Sequence, residues 1–163
     1  MTTFVFTPLV EYDPDVVTAA LGTANSAKLV DADIGKPVKM GTLQNYVVCG
    51  AGDEIEGFLE SVDAETVNDG FSKGSVNRGK KGHRVVAKVG AGSGTCALLS
   101  YVVAAAPSAL GTKDTYPLVQ LGVATNMSRT PPVLGTPLIH KWKVIRIHSG
   151  SGAAGDLITI ERA

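Results

Sequence analysis

The amino-acid sequence predicts an all-β protein: a small antiparallel β-barrel or sandwich with an extended N-terminal arm and a C-terminal β-hairpin. Between residues 31 and 90, short β-branched or aliphatic runs alternate with glycine-bearing turns, the pattern of a meander of antiparallel strands. Several short strands at close spacing favour a barrel or a sandwich. We therefore expect a single β-rich domain over residues 31–163, preceded by an arm over residues 1–30.

The arm begins with a short apolar run that contains Phe4 and Phe6. Asp15–Leu21 fits a brief helix, because Asp13 suits the N-cap and Pro14 suits the first helical position. An arm with aromatic anchors but no core of its own packs against another surface. That surface is either its own barrel or a neighbouring subunit, and both alternatives stay open.

Five strands are predicted in the meander, bounded by turns in which glycine can reach positive φ without strain. They are Pro37–Met40, Tyr46–Cys49, Ile55–Val62, Lys73–Val76 and Arg84–Val89. The loop-rich segment 91–136 follows, and its apolar run 98–106 fits either a helix or a buried strand. In the same segment, Tyr116–Val123 is expected to be an edge strand, because Pro117 cannot donate to a ladder.

Residues 137–163 predict the C-terminal hairpin. Leu138–His148 forms its first strand, a glycine-rich turn follows, and the last strand begins at Leu157. Trp142 is the only tryptophan of the chain, and its flanking lysines would suit stacking on a base or a sugar. Packing in a core or an interface is the preferred interpretation, because a lone tryptophan on a strand usually packs.

Charges are segregated along the meander, with acidic residues from Asp53 to Glu65 and basic residues from Lys73 to Lys88. In one interpretation the opposite charges face each other across paired strands. In the other they belong to a subunit interface that a neighbouring molecule completes. Together with the arm aromatics and the tryptophan, the candidate interface residues are Phe4, Phe6, Glu54, Glu56, Arg78, Lys80, Lys81 and Trp142.

Composition argues against several classes of partner. The formal net charge is +0, so no excess of basic residues is present to hold a nucleic acid by counterion release. The longest apolar run, residues 96–107, is too short to span a bilayer, and the N-terminus lacks the features of a signal peptide. Cys49 and Cys96 imply no disulfide framework. We expect free buried thiols in a soluble protein made in a reducing cytoplasm.

No catalytic, cofactor-binding or metal-ligating residue is predicted. The histidines and cysteines are not at metal-ligand spacing. The glycines between Gly90 and Gly94 resemble part of a dinucleotide fingerprint, but Thr95 stands where its third glycine is required. The glutamates between Glu54 and Glu60 indicate a solvated strand face rather than a catalytic carboxylate pair. The sequence therefore predicts a protein that is not an enzyme.

Several segments resemble tailed-bacteriophage head decoration proteins, also called capsid cement proteins. They are Asp33-Ile-Gly-Lys-Pro-Val-Lys, Gly52-Asp-Glu-Ile-Glu-Gly-Phe-Leu-Glu-Ser-Val, the stretch Gly74–Gly82 before Arg84-Val-Val-Ala-Lys-Val, and Trp142 with Gly155-Asp-Leu-Ile-Thr-Ile-Glu-Arg. The resemblance covers residues 31–89 and the C-terminus.

The resemblance implies a β-rich module that docks on the major capsid protein at the exterior of the virion and stabilises the lattice. It implies a homotrimer, with a homodimer as the alternative, made in the host cytoplasm and without catalytic residues or a cofactor. A competing expectation, from the residues alone, is a non-catalytic carbohydrate-type ligand-binding β-module that uses Trp142, Tyr101 or Tyr116.

Overall fold

The computed structural model describes residues 16–23, 26–63, 70–91, 94–122 and 141–163 of the 163-residue chain. These residues form ten β-strands and a single 3₁₀ turn at Asp31–Asp33, which confirms the all-β prediction. The strands are β1 (Val16–Leu21), β2 (Pro37–Met40), β3 (Tyr46–Val48), β4 (Gly57–Asp63), β5 (Ser72–Asn77), β6 (Arg84–Val89), β7 (Tyr101–Ala104), β8 (Leu118–Leu121), β9 (Trp142–Ile147) and β10 (Leu157–Arg162).

The strands close into two five-stranded barrels. Around the first barrel the order is β1, β3, β2, β4, β5, and β5 pairs with β1 to close the cylinder. Around the second barrel the order is β6, β8, β7, β9, β10, and β10 pairs with β6. Each barrel is therefore made of five consecutive strands, and residues 78–83 link the two.

The two barrels have the same topology. In each, the first strand runs parallel to the third. In each, the other four neighbouring pairs are antiparallel and join the same members: first with fifth, second with third, second with fourth, and fourth with fifth. The chain therefore contains one supersecondary arrangement twice.

The registers of the two barrels correspond as well. The ladder between β4 and β5 shifts after Leu59, which leaves Glu60 as an extra residue. The ladder between β9 and β10 shifts at the equivalent place, after Val144, which leaves Ile145 as the extra residue. A bulge of this kind bends a strand and increases its twist. Its repetition allows the strands of the two barrels to be matched residue by residue.

Equivalent positions build the two cores. The first barrel buries Leu21, Val38, Tyr46, Leu59 and Val76. The matching positions of the second barrel hold Val89, Val102, Val119, Val144 and Ile160, all of which are buried. Buried, mainly apolar side chains thus occupy the same sites, and of these five pairs only Val38 and Val102 are identical.

Three sequence-based expectations need correction. Val16–Leu21 is a strand and not a helix, because its β-branched start pairs along its whole length with β5. The first barrel therefore begins inside the stretch assigned to the arm. Leu118–Leu121 is not an edge strand, because β8 pairs with β6 on one side and with β7 on the other. Pro117 precedes this strand, and its carbonyl oxygen accepts from Lys88 N.

The remaining strand predictions agree with the structure to within a few residues. The apolar run after Leu98 contains a strand, β7, rather than a helix. The meander is divided between the barrels, since β6 opens the second one. The C-terminal hairpin is confirmed by the antiparallel pairing of β9 with β10. The arm residues 1–15, with Phe4 and Phe6, lie outside the described residues, as does most of the second half of the loop-rich segment.

Candidate interaction surfaces

A buried joint makes the two barrels one body. The segment between β3 and β4 leaves the first barrel and inserts Ile55 into the core of the second. Phe58 packs edge-on against Trp142, with 5.1 Å between the ring centroids. The indole nitrogen of Trp142 donates to the carbonyl oxygen of Ile55 at 3.3 Å. The second barrel is therefore completed by side chains from the first.

Polar contacts surround this joint. Gly52 N donates to Ala104 O at 2.8 Å, and Ala104 N donates to Asp53 O at 2.9 Å, so the inserted segment pairs with the end of β7. Arg162 donates from its guanidinium to Glu56 O at 3.1 Å and lies over the Trp142 ring. The carboxylate of Glu56 also forms an ion pair with Lys141.

A second attachment is a buried ion pair between Asp33 and Lys36, both of which are fully buried. Lys36 Nζ donates to the Asp33 carboxylate at 2.7 Å and to the carbonyl oxygens of Ser108 and Ala109 at 3.2 and 2.9 Å. Its three N–H donors therefore each have an acceptor. The Asp33 carboxylate accepts in turn from Gly111 N at 2.8 Å. These contacts fasten a loop of the second barrel onto the first.

The predicted interface residues occupy different places. Trp142 is fully buried and faces the joint rather than solvent. Glu54 and Glu56 are half-buried beside it. Arg78 is half-buried at the end of the first barrel, and only Lys80 and Lys81 are exposed, on the link between the barrels. Phe4 and Phe6 lie outside the described residues.

The segregated charges of the meander only partly pair with each other. Asp63 and Lys73 face each other across β4 and β5, as the first interpretation expects. Arg84 instead pairs with Glu161 at 2.8 Å, a residue of the C-terminal strand. The Glu56 carboxylate likewise pairs with the second barrel. The charge pattern therefore serves contacts within and between the barrels.

The sequence pattern does not indicate that apolar side chains at loop ends are exposed. Leu99 is 71% exposed and Leu98 58% exposed, in the loop between β6 and β7, and Tyr101 follows at 43%. In the first barrel Leu43 is 68% exposed at the tip of the hairpin between β2 and β3, and Met40 is 50% exposed at its base. Apolar exposure of this kind on a rigid body marks a contact surface when the residues lie together.

Leu99 also has a backbone conformation that leucine rarely adopts, with φ of 65°. It is the third residue of a tight turn in which Ser100 N donates to Ala97 O at 3.1 Å. The only sequence signal for this surface is the pair of leucines directly before a polar serine. The run 98–106 therefore has an exposed beginning and a buried remainder.

Burial favours the neutral forms of three side chains, Cys49, Cys96 and His83. Burial, with a smaller contribution from the Asp53 carboxylate, raises the pKa of the Cys49 thiol to about 12. Burial also raises the pKa of Cys96. Both cysteines are free and buried, as predicted. Burial and the nearby charge of Arg162 lower the pKa of His83 to about 4.

Within the described ranges, no group of three or more histidine, cysteine or acidic side chains is arranged to hold a metal ion. No described helix is long and apolar enough to cross a membrane. An open groove of about 430 Å³ lies between the first barrel and residues 107–110, lined by aliphatic side chains such as Leu29 and Val47. The indole of Trp142 has no open face for a sugar, because the side chain is fully buried.

In comparisons with protein-family models, with curated proteins and with solved structures, nothing matches this chain.

Proposed function

We propose that this protein is a structural virion component that binds the outside of a bacteriophage capsid lattice and stabilises it, as a decoration or cement protein. The observation that carries the proposal is a body of two barrels locked together by a buried joint, from which large apolar side chains project at loop ends. Such a body suits binding by shape and apolar contact rather than catalysis.

The segments that resemble decoration proteins are the ones that build this body. The Asp33-Ile-Gly-Lys segment forms the buried ion pair that fastens the barrels. The segment from Gly52 to Phe58 forms the inserted part of the joint. Trp142 and the last strand complete its other side. The resemblance therefore coincides with the structural frame, which supports the proposal.

The partners in this proposal are the major capsid protein and further copies of the chain, as a homotrimer in preference to a homodimer. The protein is made in the host cytoplasm, acts at the virion exterior, and needs no cofactor, nucleic acid or membrane. Each contact with the lattice can be weak, because simultaneous docking at several sites raises the overall affinity through effective concentration. A rigid body favours such docking, since little conformational freedom is lost on binding.

The test is co-sedimentation of the purified protein with expanded capsid shells of its phage that lack it. We expect saturable pelleting at a fixed ratio to the major capsid protein, and a higher temperature of shell disruption. Absence of saturable pelleting contradicts the proposal.

Two sets of variants then examine the predicted interface. Removal of residues 2–10, with Phe4 and Phe6, is expected to weaken pelleting. Reversal of the two exposed linker charges, by Lys80→Glu with Lys81→Glu, is expected to weaken it as well. The matched control is Lys28→Glu with Lys88→Glu, which changes the net charge equally at two other exposed lysines. Equal effects of the two charge reversals would show that Lys80 and Lys81 make no specific contact with the shell.

A further inference from the structure

The two barrels contain the same turn before their second strand. In the first barrel, Lys36 N donates to Asp33 O at 3.1 Å and Gly35 N donates to Leu59 O at 2.7 Å. In the second barrel, Ser100 N donates to Ala97 O at 3.1 Å and Leu99 N donates to Val144 O at 2.8 Å. Leu59 and Val144 are matching core residues. Residues 33–37 and 97–101 are therefore equivalent.

The environments of these equivalent turns differ. The first turn is covered by the loop that joins the second and third strands of the second barrel, through Lys36 and the carbonyl oxygens of Ser108 and Ala109. The second turn is open to solvent, since Leu98 and Leu99 are largely exposed. Where the covered turn has buried charges, the open turn has apolar side chains.

The loop that covers the first turn also has an equivalent. Gly41 N donates to Asn45 O at 2.6 Å in the first barrel, as Ala105 N donates to Leu118 O at 3.1 Å in the second. The short hairpin between β2 and β3 therefore corresponds to the longer loop between β7 and β8. This hairpin presents Leu43 and Met40 to solvent. The first barrel thus has an exposed apolar hairpin, and the second barrel has an exposed apolar turn.

We propose that the chain associates head to tail, with the turn face of one copy (Leu98, Leu99 and Tyr101) seated on the hairpin face (Met40 and Leu43) of a second copy. Within one molecule, the loop between β7 and β8 covers the turn of the first barrel. In the proposed contact, the equivalent hairpin between β2 and β3 of one copy covers the equivalent turn of another copy's second barrel. Apolar side chains meet apolar side chains, whereas the contact within the chain joins charged and polar groups. A head-to-tail contact is heterologous, so it closes into a ring when the rotation between copies permits.

The conformation of Leu99 supports the turn face as a contact surface. The equivalent residue of the first barrel is glycine, with φ of 93°, which is the residue that a left-handed turn position favours. Leucine at this position is disfavoured in the isolated molecule and exposes an apolar side chain. A binding role accounts for both features, since the side chain is buried only when a second copy docks.

The first experiment measures mass by sedimentation velocity up to a protein concentration of about 1 mM. We expect the wild-type protein to associate, and Leu99→Glu and Leu43→Glu each to reduce association at least about tenfold, because each buries a carboxylate in an apolar contact. Leu110→Glu is the matched control, an exposed leucine outside both faces. A monomeric wild-type protein overturns the proposal, as does association that only Leu99→Glu weakens, which would indicate two turn faces in contact.

Mixing provides the second experiment, because a heterologous contact has two different faces. The Leu43→Glu chain keeps an intact turn face, and the Leu99→Glu chain keeps an intact hairpin face. Their equimolar mixture is expected to form a complex of two chains, although each alone is monomeric. Leu43→Cys mixed with Leu99→Cys is expected to form a disulfide between unlike chains, whereas Leu110→Cys with Leu99→Cys is not. Failure of both the complex and the cross-link contradicts the head-to-tail arrangement.

This inference rests only on the self-association part of the proposed function, and the two can fail separately. Shells are pelleted with the same variants, whose folding is checked by far-ultraviolet circular dichroism and Trp142 emission. If the protein is monomeric and still binds shells saturably, the head-to-tail contact is contradicted and the decoration function is supported. If the protein associates as expected but does not bind shells, the decoration function is contradicted and the head-to-tail contact is supported.

Discussion

The imidazole of His83, the last residue of the link between the barrels, is only 5% exposed, and its ring centroid lies 6.0 Å from that of Trp142. Its pKa is lowered to about 4 from an ordinary value of 6.5 by burial and by the charge of Arg162. Between these two values the unfolded chain binds more protons than the folded chain. The contribution of His83 to stability is therefore complete above pH 6.5 and is lost as the pH falls toward 4.

We expect the urea midpoint of unfolding to fall between pH 7 and pH 4.5, and part of this fall to disappear in His83→Phe. Phenylalanine retains an aromatic contact with Trp142 and cannot titrate. Carboxylates also titrate in this range, so the difference between the two proteins isolates the histidine. An identical fall in both would show that His83 does not contribute.

Leu99 and Gly35 allow a matched comparison at equivalent left-handed positions. A left-handed conformation costs a side-chain-bearing residue about 1–2 kcal/mol, and glycine costs about 0.5–1 kcal/mol more than alanine through backbone entropy. Leu99→Gly is therefore expected to stabilise the monomer by about 0.5–1 kcal/mol, and Gly35→Ala to destabilise it by about 1 kcal/mol. Thermal unfolding of both variants measures the effects. A lower melting temperature for Leu99→Gly would contradict the assignment of strain.

Residue types predicted burial better than they predicted surfaces. The free, buried state of Cys49 and Cys96 follows from the apolar runs around them. The packing of Trp142 follows from its place as a lone tryptophan on a strand. The exposed state of Leu98 and Leu99 does not, because the sequence shows an apolar run and only the turn conformation directs its first two residues outward. Three of the predicted interface residues, Glu54, Glu56 and Trp142, lie at the joint instead, because burial is set by tertiary contacts.

At the scale of the elements, the turn of residues 33–36 attaches the first barrel to the loop between β7 and β8 of the second. Lys36→Met would leave the Asp33 carboxylate buried without its cation, and removal of one partner from a buried ion pair costs about 3–5 kcal/mol. We expect a loss of that size in the free energy of unfolding, measured by urea denaturation.

The double variant Asp33→Asn/Lys36→Met is expected to recover part of this loss, because asparagine is neutral and keeps an oxygen that can accept from Gly111 N. Lys28→Met, at an exposed lysine, is the control and is expected to change stability by less than about 0.5 kcal/mol. A double variant no more stable than Lys36→Met would show that the buried charge is not the source of the loss.

The sequence pattern predicted the bounds of a strand correctly where turns stand at both of its ends. Pro37–Met40 and Arg84–Val89 were predicted with the bounds that the structure has. Val16–Leu21 was not, because a suitable helix start at Pro14 was outweighed by pairing with a strand more than 50 residues away. Gly74 shows the same dependence: an added Cβ would lie 2.1 Å from the carbonyl oxygen of Ser61 across the ladder. No feature of the sequence around Gly74 indicates this contact.

At the scale of the whole molecule, the duplication of the barrel could not be predicted from the sequence. Matching positions share apolar character, as in Leu21 and Val89 or Tyr46 and Val119, but seldom the same residue. The connecting loops also differ in length, so no fixed period relates the two halves. Topology and register preserve the relationship, because a barrel core accepts many apolar side chains of suitable total volume.

The joint predicts that the two barrels unfold as one cooperative unit, because Ile55 and Phe58 of the first barrel belong to the core of the second. Leu59→Ala removes a fully buried side chain from the core of the first barrel only, and is expected to cost about 2–5 kcal/mol. The fluorescence of Trp142, the only tryptophan, reports the joint and the second barrel. Circular dichroism reports both barrels.

If the barrels are one unit, Leu59→Ala shifts the urea midpoints of both signals by the same amount. Val144→Ala, at the matching core position of the second barrel, is the symmetrical control and is expected to shift both signals in the same way. Independent barrels would give a different result, in which Leu59→Ala leaves the Trp142 transition in place and divides the dichroism signal into two steps. Since the inserted segment supplies side chains that the second barrel cannot replace, we expect coincident transitions in both variants.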